Sequence, residues 1–272
     1  MSLAAETMTD TAAIAQEHWI GLPPQGRLYA KTWTPSTTHK APLVLLHDSL
    51  GSVALWRDFP AQLAQATGRQ VIAYDRLGFG QSDARTDRLS TQFVAEEAEL
   101  YFPIVRQHLG LDRFALLGHS VGGGMGIAIA AGAGQACTAL VTIAAQAFVE
   151  DRTRAGIAEA RALFQDAAQL ERLAKYHGSK ARWVVDAWTE TWLSPAFSDW
   201  NVDAWLPRLQ CPLLAIHGEL DEYGSTAHPE RIARQAGGGG QTEIIAGAHH
   251  VPHREMAEQV LGRVRAFLAQ AG

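Results

Sequence analysis

Phe114-Ala115-Leu116-Leu117-Gly118-His119-Ser120-Val121-Gly122, continuing as Gly123-Gly124-Met125-Gly126-Ile127-Ala128-Ile129-Ala130-Ala131, decides the fold of this 272-residue chain. The short apolar run 114–117 reads as a buried strand, and the small-residue run after Ser120 as a helix packed close to its neighbours. A single serine holds the turn between them. So sharp a strand-to-helix turn strains the serine backbone and lifts its hydroxyl above the sheet. Glycines two residues before and two after let neighbouring backbone approach. The first N–H groups of the helix converge on the same spot, where they can stabilise an oxyanion. The stretch therefore predicts a nucleophile at Ser120; the competing reading is a Gly-rich loop at a tight helix–strand contact.

Outward from this turn, short apolar runs alternate with helical patterns. Residues 42–46, 70–74, 114–117, 139–143 and 212–216 are continuous apolar runs, as expected of strands covered on both faces. Residues 27–33 alternate like a half-exposed strand, and 242–245 read as a last strand. Helical patterns occupy 56–66, 93–109 and a closing amphipathic stretch, 256–268. This alternation predicts an α/β fold: a mostly parallel twisted sheet of about eight strands, flanked by helices. Residues 148–207 break the rhythm. They show only helical pattern and contain five of the eight tryptophans, with Val184, Trp188 and Trp192 at i, i+4, i+8 spacing. The expected organisation is a lead-in over 1–17, a core over 18–147 and 208–272, and a helical lid over 148–207.

Composition narrows the function classes. Hydrophobic residues make up 47% of the chain and the net charge is −5, with basic residues scattered singly. That gives no electrostatic case for nucleic acid or an anionic membrane surface. There is no apolar run long enough to span a bilayer and no signal-peptide pattern at the N-terminus, so a cytoplasmic setting is expected. Two cysteines are too few for a disulfide framework, and no Cys/His spacing suggests a zinc site; no metal and no cofactor are expected. The expected partner is a small-molecule substrate, and a homodimer is compatible with the composition.

In a doubly wound sheet, functional residues collect on loops at the carboxyl ends of strands. A serine hydroxyl needs an imidazole to accept its proton, a carboxylate to orient that imidazole, and donors for the oxyanion. After residues 213–216 come His217-Gly218-Glu219-Leu220-Asp221-Glu222. After 242–245 come Ala246-Gly247-Ala248-His249-His250-Val251-Pro252-His253. The chain order is thus serine, acid, histidine. No carboxylate follows the 139–143 run, where Ala144-Ala145-Gln146-Ala147 stand.

With these motifs the chain resembles the α/β-hydrolases, in particular the capped branch that holds esterases, enol-lactonases and C–C hydrolases. His47-Asp48-Ser49-Leu50-Gly51 is similar to that family's His-Gly oxyanion loop, and Asp75-Arg76-Leu77-Gly78-Phe79-Gly80-Gln81-Ser82 to its D-x-R-G-x-G-x-S turn. The resemblance implies a triad of Ser120, Asp221 and His250, with His249 the alternative base and His253 a structural hydrogen-bonding residue. It implies an oxyanion hole from the backbone N–H groups of Val121 and of Ser49 or Leu50. Asp48 stands where the family has glycine and is expected to point away, toward backbone donors. Asp75, Arg76 and Ser82 are expected to brace their loop. Leu50, His119, Trp188 and Trp192 are the pocket candidates. The implied activity is cofactor-free hydrolysis of an ester, lactone or thioester with a small to medium apolar part. C–C hydrolysis of a ring-cleavage dienoate and a non-enzymatic small-molecule receptor are the alternatives.

Overall fold

The computed structural model describes residues 13–271, so most of the expected lead-in lies outside the described residues. Strands β1 (Ile14–Leu22), β2 (Gly26–Thr34), β3 (Leu43–Leu46), β4 (Val71–Tyr74), β5 (Phe114–His119), β6 (Cys137–Ile143), β7 (Leu213–Gly218) and β8 (Gly240–Ile245) form one sheet. Their order is β1-β2-β4-β3-β5-β6-β7-β8. The β1–β2 and β2–β4 pairings are antiparallel and the rest parallel. The sheet begins earlier than the expected core boundary because β1 is an edge strand. Its first four residues are all exposed, and only Ile20 and Leu22 are buried, which leaves little apolar signal in the sequence.

The continuous apolar runs are explained by two cores, one on each face. In β3, Val44 and Leu46 join one cluster while Leu43 and Leu45 join the other. In β5, Phe114 and Leu116 oppose Ala115 and Leu117 in the same way. Side chains alternate across the sheet, and since both faces are covered no polar residue interrupts the run. The expected 93–109 helix is interrupted. Phe93–Glu96 and Phe102–His108 are α-helical, and Glu97–Tyr101 between them adopts wider π turns. Pro103 has no N–H to donate back into the preceding turn, a local cause for the wider winding just before it.

Between β6 and β7 the chain forms helices Asp151–Leu163, Ala167–His177 and Ala181–Trp192. Two short turns follow, at Pro195–Phe197 and Leu206–Arg208. This segment is fastened to the loops after β3 and β4. His177 Nδ1 accepts from Gly80 N–H (2.9 Å), its Nε2–H donates to Leu50 O (2.9 Å), and Lys180 Nζ donates to Gly80 O (2.8 Å). The Trp183 ring lies over Gly78, where any Cβ would fall 2.5 Å from it. Here glycine is required by close approach as well as by its φ of +89°.

Candidate active site

β3, β5, β6, β7 and β8 are neighbours in the parallel part of the sheet, so their carboxyl ends meet on one edge. Ser120 directly follows β5, with φ 54° and ψ −126°. This conformation is strained for a residue with a side chain. The two flanking glycines are sterically necessary. A Cβ on Gly118 would lie 2.2 Å from Gly122 O, and one on Gly122 would lie 2.2 Å from Leu46 O. The turn is thus wedged against the end of β3. Ser120 is 7% exposed and opens onto a cavity of about 240 Å³.

His250 lines the same cavity. Its Nδ1 lies 2.8 and 2.9 Å from the two carboxylate oxygens of Asp221. A carboxylate only accepts, so Nδ1 carries the proton and Nε2 keeps its lone pair. Asp221 is fixed in turn by the Tyr223 N–H (2.7 Å) and stands 3.3 Å from His217 Nε2. Burial would raise the Asp221 pKa, but the hydrogen bond from His250 and the neighbouring imidazoles outweigh it and hold the carboxyl below its usual range. Burial likewise pulls His250 down. The hydrogen bond to Asp221 and the charges of Asp221, Asp48 and Glu222 prevail, and leave the imidazole above its ordinary 6.5. Neighbouring His249 turns the other way: its side chain is 57% exposed and its Nδ1 faces Glu255 at 3.5 Å, whereas that of His250 is 11% exposed.

The Ser120 hydroxyl donates to Gln146 Oε1 at 3.3 Å, and its direct hydrogen bond among the described residues is to this amide. Gln146 follows β6 and is 3% exposed. The N–H groups of Ser49 and Val121 have no acceptor among the described residues, and neither does that of Leu50. Gly51 N–H closes the loop by donating to Asp48 O at 3.2 Å. His47 Nδ1–H donates to the same carbonyl (2.8 Å), as does Arg76 (2.9 Å), while His47 Nε2 accepts from Arg76 N–H. Burial pushes the His47 pKa well down, so it braces the loop as a neutral ring.

The structure separates the remaining candidates. Leu50, Trp188 and Trp192 line the cavity with Ser120; His119 does not. Its Nε2–H donates to His250 O at 2.9 Å, which places it behind the site. The Asp48 carboxylate lies over Gly51 and 3.7 Å from His119 Nδ1, rather than on backbone donors. Burial would raise the Asp48 pKa; the surrounding His119, His47 and His250 outweigh that and hold it far below the usual carboxylate range. Asp75 accepts from Val53 N–H (2.6 Å) and Gln81 N–H (2.7 Å), and Ser82 donates to Asp75 O (2.6 Å), which bridges this loop to β2 through Tyr29 N–H. His253 packs its ring on Trp56, Phe59 and His119, and its Nδ1 is buried without a partner. Sequence reasoning missed Gln146, Thr153, Ile157, Glu222 and Tyr223, all in the cavity wall. Only tertiary contact brings them there.

Among the described residues no group of three potential ligands could hold a metal ion, and no helix is long and apolar enough to cross a membrane. The family model of the alpha/beta hydrolase fold matches residues 41–184. A proline iminopeptidase of Lactobacillus delbrueckii subsp. lactis is 43% identical over 86 residues, which span 32% of this chain and 29% of that protein's length. A carboxylesterase of Bacillus subtilis superposes with TM-score 0.69 at 23% identity, covering 94% of this chain and 92% of its own. An enol-lactonase of Burkholderia xenovorans does so with TM-score 0.68 at 17% identity, covering 93% and 100%.

Proposed function

Since the chain belongs to the α/β-hydrolase fold family, we propose that it is a cofactor-free serine hydrolase that cleaves a small carboxylic ester, lactone or thioester through an acyl-enzyme. The observation that carries this reading is one cavity holding both Ser120, on a strained turn, and the Asp221-bound imidazole of His250. In the first step the hydroxyl turns from Gln146 to His250 Nε2, which takes its proton as Oγ adds to the substrate carbonyl. The free N–H groups of Val121 and Ser49 receive the oxyanion, with Leu50 N–H the alternative to Ser49. The imidazolium then protonates the leaving group, and water activated by the same ring releases the acid. A fluorophosphonate probe tests the reading directly. It should label the protein at Ser120 alone, in parallel with turnover of a short p-nitrophenyl ester; labelling elsewhere, or no labelling, refutes it.

His250 acts as a base only when neutral. Its raised pKa therefore places the acid limb of kcat/KM above the ordinary imidazole value of 6.5. Turnover should rise with pH through one deprotonation in that range. A limb at or below 6.5 would show that the carboxylates around His250 do not govern it.

The segment 148–207 serves in this reading as a lid that sets substrate size. Trp188, Trp192, Thr153 and Ile157 come from it to the cavity wall. At about 240 Å³ the cavity lies below the roughly 300–1,000 Å³ of drug-sized ligand sites. Each ester methylene buried there contributes about 0.8 kcal/mol, so kcat/KM should climb about fourfold per carbon and then stop early in a chain-length series. Trp188→Ala should move the optimum to longer chains. A flat series, unchanged in the variant, would reduce these tryptophans to ordinary packing.

A further inference from the structure

The wall of the cavity carries a charge pattern that ester hydrolysis alone does not call for. Among its lining residues the fixed charges are the carboxylates of Asp48 and Glu222; no lysine or arginine takes part. Asp48 stands at the end of β3 and Glu222 after β7, so the two reach the cavity from separate loops. The same wall carries aromatic surface: Trp188 and Tyr223 meet edge to face with centroids 5.9 Å apart, and Tyr223 lies 4.8 Å from the His250 ring. Gln146 adds a buried carboxamide whose oxygen takes the Ser120 hydroxyl and whose nitrogen has no acceptor among the described residues. That leaves a donor for a neutral substrate oxygen beside the nucleophile. The site thus offers π faces and negative charge to one part of a ligand, and a neutral amide to another. Such surroundings attract a compact cation and repel a second carboxylate.

We propose that this cavity selects esters bearing an alkylammonium or trimethylammonium group over esters bearing a carboxylate, with Asp48 and Glu222 as the selecting charges against the Trp188–Tyr223 surface. The inference rests on the ester-hydrolase reading for its kinetic part only. Asp48 thereby gains a reason to replace the small residue that the oxyanion loop otherwise accommodates. It lines the cavity that Ser120 opens onto, its carboxyl is held far below the usual carboxylate range, and it packs over Gly51. The preference also disfavours dienoates and other dicarboxylate-like substrates.

Three p-nitrophenyl esters of equal chain length test it: γ-trimethylammoniobutyrate, the neutral analogue with a tert-butyl group in place of trimethylammonium, and monoglutarate. Each kcat/KM is divided by that ester's rate with hydroxide, which removes intrinsic reactivity. At low salt the cationic ester should exceed the anionic one by about tenfold or more, with the neutral analogue between, and added salt should narrow the gap. Asp48→Asn and Glu222→Gln should each shrink the cation-to-anion ratio severalfold, and the double variant should bring it near unity. The ratio is insensitive to any change in chemistry common to the three esters. Binding gives a second readout: phenyltrimethylammonium should quench tryptophan fluorescence of the intact protein at concentrations about tenfold below benzoate, and lose that advantage in the double variant. Equal rates for the cationic and anionic esters, equal binding, or a preference that survives both neutralisations would overturn the proposal. Should none of the three esters be cleaved, the ester-hydrolase reading fails, and the binding comparison alone decides this one.

Discussion

Ser120→Ala is expected to abolish ester turnover, with a loss on the order of 10⁶ in kcat, while the protein stays folded. Ser120 has two separable roles. Chemically, the hydroxyl is the nucleophile of the proposed mechanism, and neither Gln146 nor a water in a cavity of this size can replace a covalent acyl carrier. Structurally, the residue contributes little. Alanine keeps the Cβ and inherits the same strained backbone, and the lost hydrogen bond to Gln146 is a long one at 3.3 Å. Its removal costs about 1 kcal/mol or less. The thermal midpoint should therefore move by a few degrees at most. Paired measurements of kcat and thermal unfolding on the same preparation check both halves. More than a few per cent residual turnover in Ser120→Ala would remove Ser120 from the chemistry.

How far such a site is legible in sequence depends on what holds each part in place. The parallel strands are legible because both their faces are buried: Val44 and Leu46 face one core, Leu43 and Leu45 the other, and no polar residue intervenes. β1 is not, since five of the six residues before Ile20 face solvent, and only Ile20 and Leu22 anchor it. Ser120 announces itself through Gly118 and Gly122, whose missing side chains answer local contacts with Gly122 O and Leu46 O. Asp221 and His250 required more. Three acidic residues and three histidines stand within a few positions of where a triad needs one of each, and resemblance singled out the pair that the fold joins at 2.8 Å. The cavity wall was the least legible part. Gln146 follows β6, and Glu222 and Tyr223 follow β7, and their convergence depends on how β6, β7 and the intervening helices pack. His253 illustrates the opposite limit: a motif position expected to hydrogen-bond is instead a packing ring among Trp56, Phe59 and His119.

Adjacent His249 and His250 give the second large effect, because a one-residue difference in sequence becomes a reversal in direction. His250→Ala should reduce kcat by about as much as loss of the nucleophile, on the order of 10⁶, since base and nucleophile act as a unit. The loop permits one of the two rings to face Ser120. His250 points inward to Asp221, anchored by its own N–H to Glu222 (3.3 Å) and by its carbonyl, which accepts from His119. His249 points out to Glu255, whose carboxylate also takes its N–H at 2.6 Å. His249→Ala removes an exposed ring and leaves that backbone bond intact, so turnover should change by about twofold or less. The acid limb of the pH profile adds a discriminating readout. It should be unaltered in His249→Ala, because Asp221, Asp48 and Glu222 still surround His250, and no imidazole limb should remain in the residual rate of His250→Ala. The reverse ranking would mean that the loop after β8 is shifted by one residue, with His249 on Asp221. In that case the Glu255 contacts, not the Glu222 contact, would be the ones broken in the active protein.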